Sequence, residues 1–111
     1  MMKKLLGAVR NCTNEELKLA NKNFPMFRSD HEGIAVIEEE IIEIRNALNR
    51  VYEDFNYLKI ELTFGDRPVE EKISRADALK QNAQELSAEA IQTAAMAQKY
   101  IDSIVWRGEK K

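Results

Sequence analysis

The chain has little of what marks several common classes of protein. Its one cysteine, Cys12, allows neither an intrachain disulfide nor a zinc site built on cysteines. It has no run of about 18 apolar residues that would suggest a membrane span, and its first residues lack the long apolar stretch of a secretory leader. We therefore expect a cytoplasmic protein that makes no contact with a membrane.

A surplus of one charge is also lacking. The 17 lysines and arginines face 19 aspartates and glutamates, for a net charge of −2, so no basic surplus favours nucleic acid as a partner. The only histidine, His31, argues against a di-iron carboxylate bundle, which uses two Glu-x-x-His motifs. With two prolines and four glycines, long disordered tracts are not expected, and residues 1–111 have the length of a single domain.

Helical periodicity runs through most of the chain. The segment from Met2 to about Asn23 is typical of one helix, or of two if Thr13-x-x-Glu16 is a capping box. Pro25 forces the residue before it out of the helical region, which predicts a break. Ser29-x-x-Glu32 then fits the capping box of a second helix, which we expect to end near residues 57–59.

The last part of the chain also reads as helix. Pro68 suits the first turn and Gly108 the end, with either one helix between them or two joined by a bend near Gln84–Ser87. No segment shows the alternation of a strand. The predicted fold class is therefore all-α, a helical bundle of three to four long helices completed by dimerisation.

The second helix carries a long apolar seam. Its members follow one another in steps of three and four residues: Ile34, Ile37, Ile41, Ile44, Leu48, Val51, Phe55 and Leu58. This spacing is a heptad pattern, and we take Ile41 as the centre of the buried face. Together, this seam and the alanine-rich last helix offer more apolar surface than a single chain of few helices can bury. This predicts a homo-oligomer, either a dimer or a tetramer.

Helical geometry separates the glutamates of "VIEEEIIEI". Because a helix turns about 100° per residue, Glu39 lies nearly opposite Ile41, whereas Glu40 and Glu43 share a flank that also carries apolar residues. Carboxylates three residues apart stand on neighbouring turns and repel each other, and a bound cation would remove that repulsion.

The last helix holds a comparable pair of oxygen-bearing side chains. Glu89 and Gln92 have the same spacing and lie at the margin of an apolar stripe. If the second and last helices pack antiparallel, one pair from each would face the same gap. Carboxylate and amide oxygens suit a hard cation, Mg²⁺ or alternatively Mn²⁺. The alternative is that these side chains are solvated or pair with basic neighbours, as charged helix faces commonly do.

Two segments, "FPMFRSDHEGIAVIEEEIIEI" and "EAIQTAAMAQKYIDSI", carry a resemblance to a known family. Over roughly residues 15–62 and 83–105 the chain resembles the MazG-like branch of the all-α nucleoside triphosphate pyrophosphohydrolases. The resemblance implies a helical bundle, commonly dimeric, with EExxE and ExxD motifs on two helices. The acidic residues hold Mg²⁺, the metal binds the triphosphate, and water attack gives a nucleoside monophosphate and pyrophosphate.

Carried over by position, EExxE falls on Glu39, Glu40 and Glu43, and ExxD falls on Glu89 to Gln92. The resemblance implies that Glu40, Glu43, Glu89 and the amide oxygen of Gln92 are metal ligands. It also implies that Glu39, or the metal itself, activates the attacking water. Gln92 stands where the family has aspartate, which removes one negative charge. The alternative function is therefore a catalytically weak or inactive nucleotide-binding or regulatory module.

Other side chains are candidates for contact with the nucleotide. Lys80, Lys99 and Arg75 are candidates for binding the phosphates, and surface salt bridges are the alternative role for each. Phe27 is a candidate for stacking on the base, because a nucleotide pocket needs an apolar slot. The alternative for Phe27 is that it packs the loop in which it lies.

Overall fold

The structure, a computed structural model, describes residues 1–65 and 67–109, with the side chains of residues 61–64 and 109 left aside. It consists of three helices, α1 (Met2–Asn23), α2 (Asp30–Phe64) and α3 (Val69–Glu109), and the described residues contain no strand. The predicted fold class, an all-α helical bundle of three to four long helices, is confirmed. Within the described part of the chain, no helix is long and apolar enough to cross a membrane.

The helix starts follow from local signals. At the start of α2, the N–H of Glu32 donates to Ser29 Oγ at 3.1 Å, and Glu32 Oε2 accepts from the N–H of Arg28 at 3.2 Å. The predicted capping box therefore forms, with its return bond one residue earlier than usual. Before α3, the carbonyl of Pro68 accepts from the N–H of Glu71 at 3.0 Å.

Two alternatives left open by the sequence are resolved. Thr13 Oγ1 donates to the carbonyl of Val9 at 2.9 Å, so it lies within α1 and does not cap a second helix. Helix α3 continues unbroken through Gln84–Ser87. Helix α2 is longer than predicted and extends to Phe64, because the turn signals from Gly65 onward, and not the end of the heptad pattern, terminate it.

The chain divides into two compact units. Unit 1 comprises Met1–Ile41 and the described residues from Ala90 onward, and unit 2 comprises Ile42–Glu89. Unit 1 therefore contains α1, the start of α2 and the end of α3, while unit 2 contains the remainder of α2 and α3. The assignment of residues 1–111 to a single domain stays a prediction.

In unit 1, the start of α2 packs against the end of α3. Arg107 Nη2 lies 2.8 Å from Asp30 Oδ1. The hydrogen bond from Arg107, and then that from Tyr100, lowers the pKa of the Asp30 carboxyl, so this pair stays charged. One turn into α2, a Cβ at Gly33 would lie 2.7 Å from Tyr100 Cδ1 and 3.2 Å from Phe27 Cδ2. Only glycine permits so close an approach at this position.

In unit 2, α2 and α3 run antiparallel and are joined by polar side chains. Asn82 Nδ2 donates to Asp54 Oδ2 at 2.5 Å, and Arg50 Nη2 lies 3.7 Å from Glu85 Oε2. As the residue number rises along α2 it falls along α3, which defines the antiparallel order. Among the described residues of this unit, Ala47 is the hydrophobic side chain that is fully buried.

Within one chain, alternate residues of the heptad seam of α2 differ in their exposure to solvent. Ile37, Ile44, Val51 and Leu58 are half-buried, whereas Ile34, Ile41, Leu48 and Phe55 expose between 39% and 53% of their surface. The expectation that Ile41 centres the buried face is therefore wrong for the single chain. Ala47 is fully buried and Glu40 half-buried, because the face that turns inward lies to one side of the predicted one.

Candidate functional site

Two glutamates that are distant in sequence meet in unit 2. A carboxylate oxygen of Glu43 on α2 and one of Glu89 on α3 lie within 4.8 Å of each other. Glu43 is exposed and Glu89 is half-buried. The antiparallel order brings these positions to the same side of the pair: Arg50 pairs with Glu85, Glu43 lies about two turns before Arg50 on α2, and Glu89 lies about one turn beyond Glu85 on α3. Two of the four predicted metal ligands are thus adjacent.

The other two predicted ligands follow by helical geometry. Glu40 precedes Glu43 by three residues on α2 and belongs to unit 1. Gln92 lies one turn beyond Glu89 on α3. Glu40 and Gln92 both line a cavity in unit 1. Of the four predicted ligands, Glu43 and Glu89 thus belong to unit 2, and Glu40 and Gln92 belong to unit 1.

The cavity of unit 1 has a volume of about 490 Å³. Its apolar lining comes from α1, the loop after it, α2 and α3, and includes Leu19, Phe24, Phe27, Val36, Ala95 and Met96. Small-molecule sites typically enclose about 300–1,000 Å³ and are mainly apolar with a few polar groups. Both the size and the lining of this cavity fit a ring-bearing small molecule.

Lys99 brings a cation into the cavity wall. Its side chain is only 2% exposed, and its Nζ lies 5.2 Å from the ring centroid of Phe27 and 5.8 Å from that of Phe24. Burial lowers the pKa of the Lys99 ammonium, and the charge of Glu32 partly opposes this. The predicted substrate-binding residues Lys99 and Phe27 thus lie together in one wall.

A serine that the sequence did not single out fixes this wall. Ser103 Oγ accepts from the N–H of Phe27 at 2.9 Å and donates to the carbonyl of Lys99 at 2.7 Å. Ser103 is fully buried, so both bonds are shielded from water. No local pattern reveals this role, because Phe27 and Ser103 are 76 residues apart and meet only when the loop packs against α3.

Three further candidates lie outside the cavity lining. Lys80 is exposed, and its Nζ lies 3.0 Å from Asp77 Oδ1. The Arg75 guanidinium lies 4.4 Å from the ring centroid of Tyr57. Glu39, the predicted catalytic residue, is exposed on α2. The roles suggested for these residues by the sequence stay predictions.

The comparisons with known proteins give no assignment: no family model matches the chain, nor does any curated protein or solved structure. The chemistry of the described residues is therefore the basis for a function. They offer carboxylate oxygens suited to a hard cation and an apolar cavity with one buried lysine.

Proposed function

We propose that the protein is a MazG-like, Mg²⁺-dependent nucleoside triphosphate pyrophosphohydrolase, which converts a nucleoside triphosphate to the monophosphate and pyrophosphate. The observation that carries the proposal is the approach of Glu43 and Glu89 within 4.8 Å. Glu43 and Glu89 are the residues that the resemblance assigns to the EExxE and ExxD motifs, and their carboxylate oxygens are close although α2 and α3 are separate in sequence.

The donor set fits the proposed cation. Mg²⁺ binds oxygen at about 2.0–2.1 Å, so two oxygens that share one ion stand about 3–4 Å apart. Carboxylate oxygens within 4.8 Å reach that separation after small side-chain rotations. Glu40, Glu43, Glu89 and the amide oxygen of Gln92 would hold the ion, and Mn²⁺ suits the same donors.

In the proposed reaction, the ion and the protein side chains have separate roles. When bound, Mg²⁺ supplies charge that neutralises and orients the triphosphate. Phe27 and the apolar lining of the unit 1 cavity bind the base and exclude water from it. Water attacks the α-phosphorus and Glu39 accepts its proton; the new P–O bond forms as the bond from the α-phosphorus to the bridging oxygen breaks, and that oxygen leaves with pyrophosphate.

We include self-association, as a dimer or tetramer, in the proposal. The exposed half of the α2 seam, Ile34, Ile41, Leu48 and Phe55, forms a regular apolar stripe on one helix. Such contiguous apolar surface on a small protein commonly marks an interface. We place the protein in the cytoplasm, where triphosphates and Mg²⁺ are available together.

Pyrophosphate release from a panel of ribo- and deoxyribonucleoside triphosphates, with Mg²⁺ or Mn²⁺, tests the proposal. We expect turnover that depends on the metal, and Glu43→Gln should lower it by about a hundredfold or more because the variant loses a charged ligand and its transition-state stabilisation. Glu38→Gln, an equally conservative change at an exposed residue of α2, is the matched control and should retain full turnover. Absence of both turnover and a metal-dependent thermal shift would contradict the enzyme proposal.

A second candidate function rests on Gln92. An amide ligates Mg²⁺ more weakly than a carboxylate, so the chain is alternatively a nucleotide-binding regulatory module with little or no hydrolysis. Titration calorimetry with a non-hydrolysable triphosphate separates the two, since binding without turnover favours the module. Gln92→Asp should then raise the affinity for Mg²⁺ and bring turnover into the measurable range.

A further inference from the structure

The cavity of unit 1 contains a cation with unused hydrogen-bonding capacity. An ammonium group has three donors and no acceptor. The described hydrogen bond of Lys99 Nζ is to the carbonyl of Phe24, at 3.5 Å, which is long for an N–H···O bond. The rings of Phe24 and Phe27 offer their faces but no acceptor atom. Among the described residues that line the cavity, Lys99 is the only basic one.

The carboxylate whose charge acts on Lys99 also takes part in a hydrogen bond of its own. Glu32 raises the pKa of Lys99 through its charge, but its Oε2 accepts from the N–H of Arg28 at 3.2 Å, as part of the cap of α2. The Phe27 ring beside the ammonium is positioned by Ser103, which accepts from the Phe27 N–H and donates to the backbone carbonyl of Lys99 on α3. A buried donor beside such a ring is suited to recognise an acceptor on a ligand.

We propose that Lys99 donates a hydrogen bond to a carbonyl oxygen of a nucleobase lying against Phe27, so that the cavity selects keto bases over adenine. Uracil, thymine, guanine and hypoxanthine offer such an oxygen, and adenine has none. This inference rests on the proposed function, since it takes the ligand to be a nucleotide. It assigns Lys99 to the base and not to the phosphates, the role that the sequence alone suggested.

The surroundings of Lys99 favour a neutral acceptor over a phosphate. The cavity is lined mainly by apolar side chains, and its other charged residues are Glu16, Glu32 and Glu40. A phosphate brought among three carboxylates would be repelled and would also lose its hydration. A carbonyl oxygen on a flat ring avoids both costs and still accepts from the ammonium.

Inosine and adenosine provide the sharpest test, because they share the ribose and the purine ring and differ only in a 6-oxo group with N1–H against a 6-amino group with an unprotonated N1. We expect titration calorimetry without metal to show about tenfold or more tighter binding of inosine by the wild-type chain, as one hydrogen bond to a charged donor is gained. Lys99→Met keeps the length and apolar body of the side chain and should abolish the preference. Lys18→Met, at a side chain that is 74% exposed and outside the cavity lining, should retain it.

Equal affinity for the two nucleosides, no detectable binding of inosine, or an unchanged preference in Lys99→Met would each overturn the inference. The wild-type comparison is decisive even if Lys99→Met fails to fold. The test is also separable from the proposed function. Pyrophosphate release without a keto preference rejects the role of Lys99 alone, whereas inosine selectivity without pyrophosphate release rejects hydrolysis alone.

Discussion

Unit 1 encloses side chains, and unit 2 largely does not. The described buried side chains of unit 1 are Phe27, Ala95, Lys99 and Ser103, while unit 2 has Ala47. In unit 2 the two helices are joined by polar contacts such as that between Asn82 and Asp54. Three helical segments surround an interior in unit 1, but two helices can only cover one face of each other. A core, and with it a cavity, therefore forms where α1 joins the pair.

The two units also differ in what they offer to a ligand. Unit 1 presents a shaped apolar cavity whose wall is fixed by Ser103. Unit 2 presents the carboxylates of Glu43 and Glu89 on helices whose apolar side chains, among them Leu48 and Phe55, remain exposed. We therefore expect the proposed self-association to cover exposed apolar side chains of unit 2, such as Leu48 and Phe55.

The largest expected effect is therefore on association through unit 2. The double variant Leu48→Lys/Phe55→Lys should convert the proposed oligomer to a monomer, because each change would remove roughly 1.5–3 kcal/mol of apolar burial and add a charge to the proposed interface. Mass measurement by light scattering after size-exclusion chromatography would show it.

The double variant Asn49→Lys/Asn56→Lys is its matched control, since it adds the same charge at the exposed neighbouring positions. It should remain oligomeric. A wild-type chain that is monomeric at all concentrations, or equal dissociation in both variants, would show that the exposed seam is not the interface.

A smaller effect should appear in the packing of unit 1. Gly33→Ala places a methyl group 2.7 Å from the Tyr100 ring, and we expect the free energy of unfolding to fall by about 1–3 kcal/mol through overpacking. Gly7→Ala is the control, because nothing lies within 4 Å of its added methyl group, and it should stabilise α1 by up to about 1 kcal/mol. Chemical denaturation measures both, and equal stabilisation by the two changes would contradict the close contact at Gly33.

The smallest effect concerns pH and the buried cation of unit 1. Because burial lowers the pKa of Lys99 below its usual 10.5, the folded chain binds fewer protons than the unfolded chain between the lowered pKa and 10.5. The contribution of Lys99 to stability therefore improves as the pH rises through that window. Lys99→Met should be the more stable protein near neutrality, and its advantage over wild type should narrow towards pH 10.5. An advantage that is constant with pH would mean that Lys99 is not desolvated.

The sequence predicted well what neighbouring residues decide. The capping box at Ser29 and Glu32 and the proline before α3 are local signals, and both helix starts follow them. The predicted centre of the buried face at Ile41 was wrong because a heptad seam does not say which of its two sides another helix will cover. That choice is made by tertiary packing.

The same distinction between local signals and tertiary packing applies to the candidate site. Glu40 and Glu43 could be placed on one flank from helical geometry, and Glu89 was singled out by its place at the margin of an apolar stripe and by the resemblance. The burial of Lys99 and the role of Ser103 could not be predicted, because both depend on the packing of the loop around Phe27 against α3. Contacts that span 76 residues leave no mark in any short window of sequence.

The antiparallel order of unit 2 has a consequence for how this chain tolerates changes in length. Adding seven residues to α2 and seven to α3 between Glu43 and Glu89 would lengthen the hairpin by two turns and keep both carboxylates in phase, whereas adding one residue to either helix would rotate everything beyond it by about 100°. Homologous chains can therefore differ widely in the number of residues between the two motifs while the carboxylates still meet. The helical phase of each motif must be preserved, whereas the number of residues between the two motifs can change.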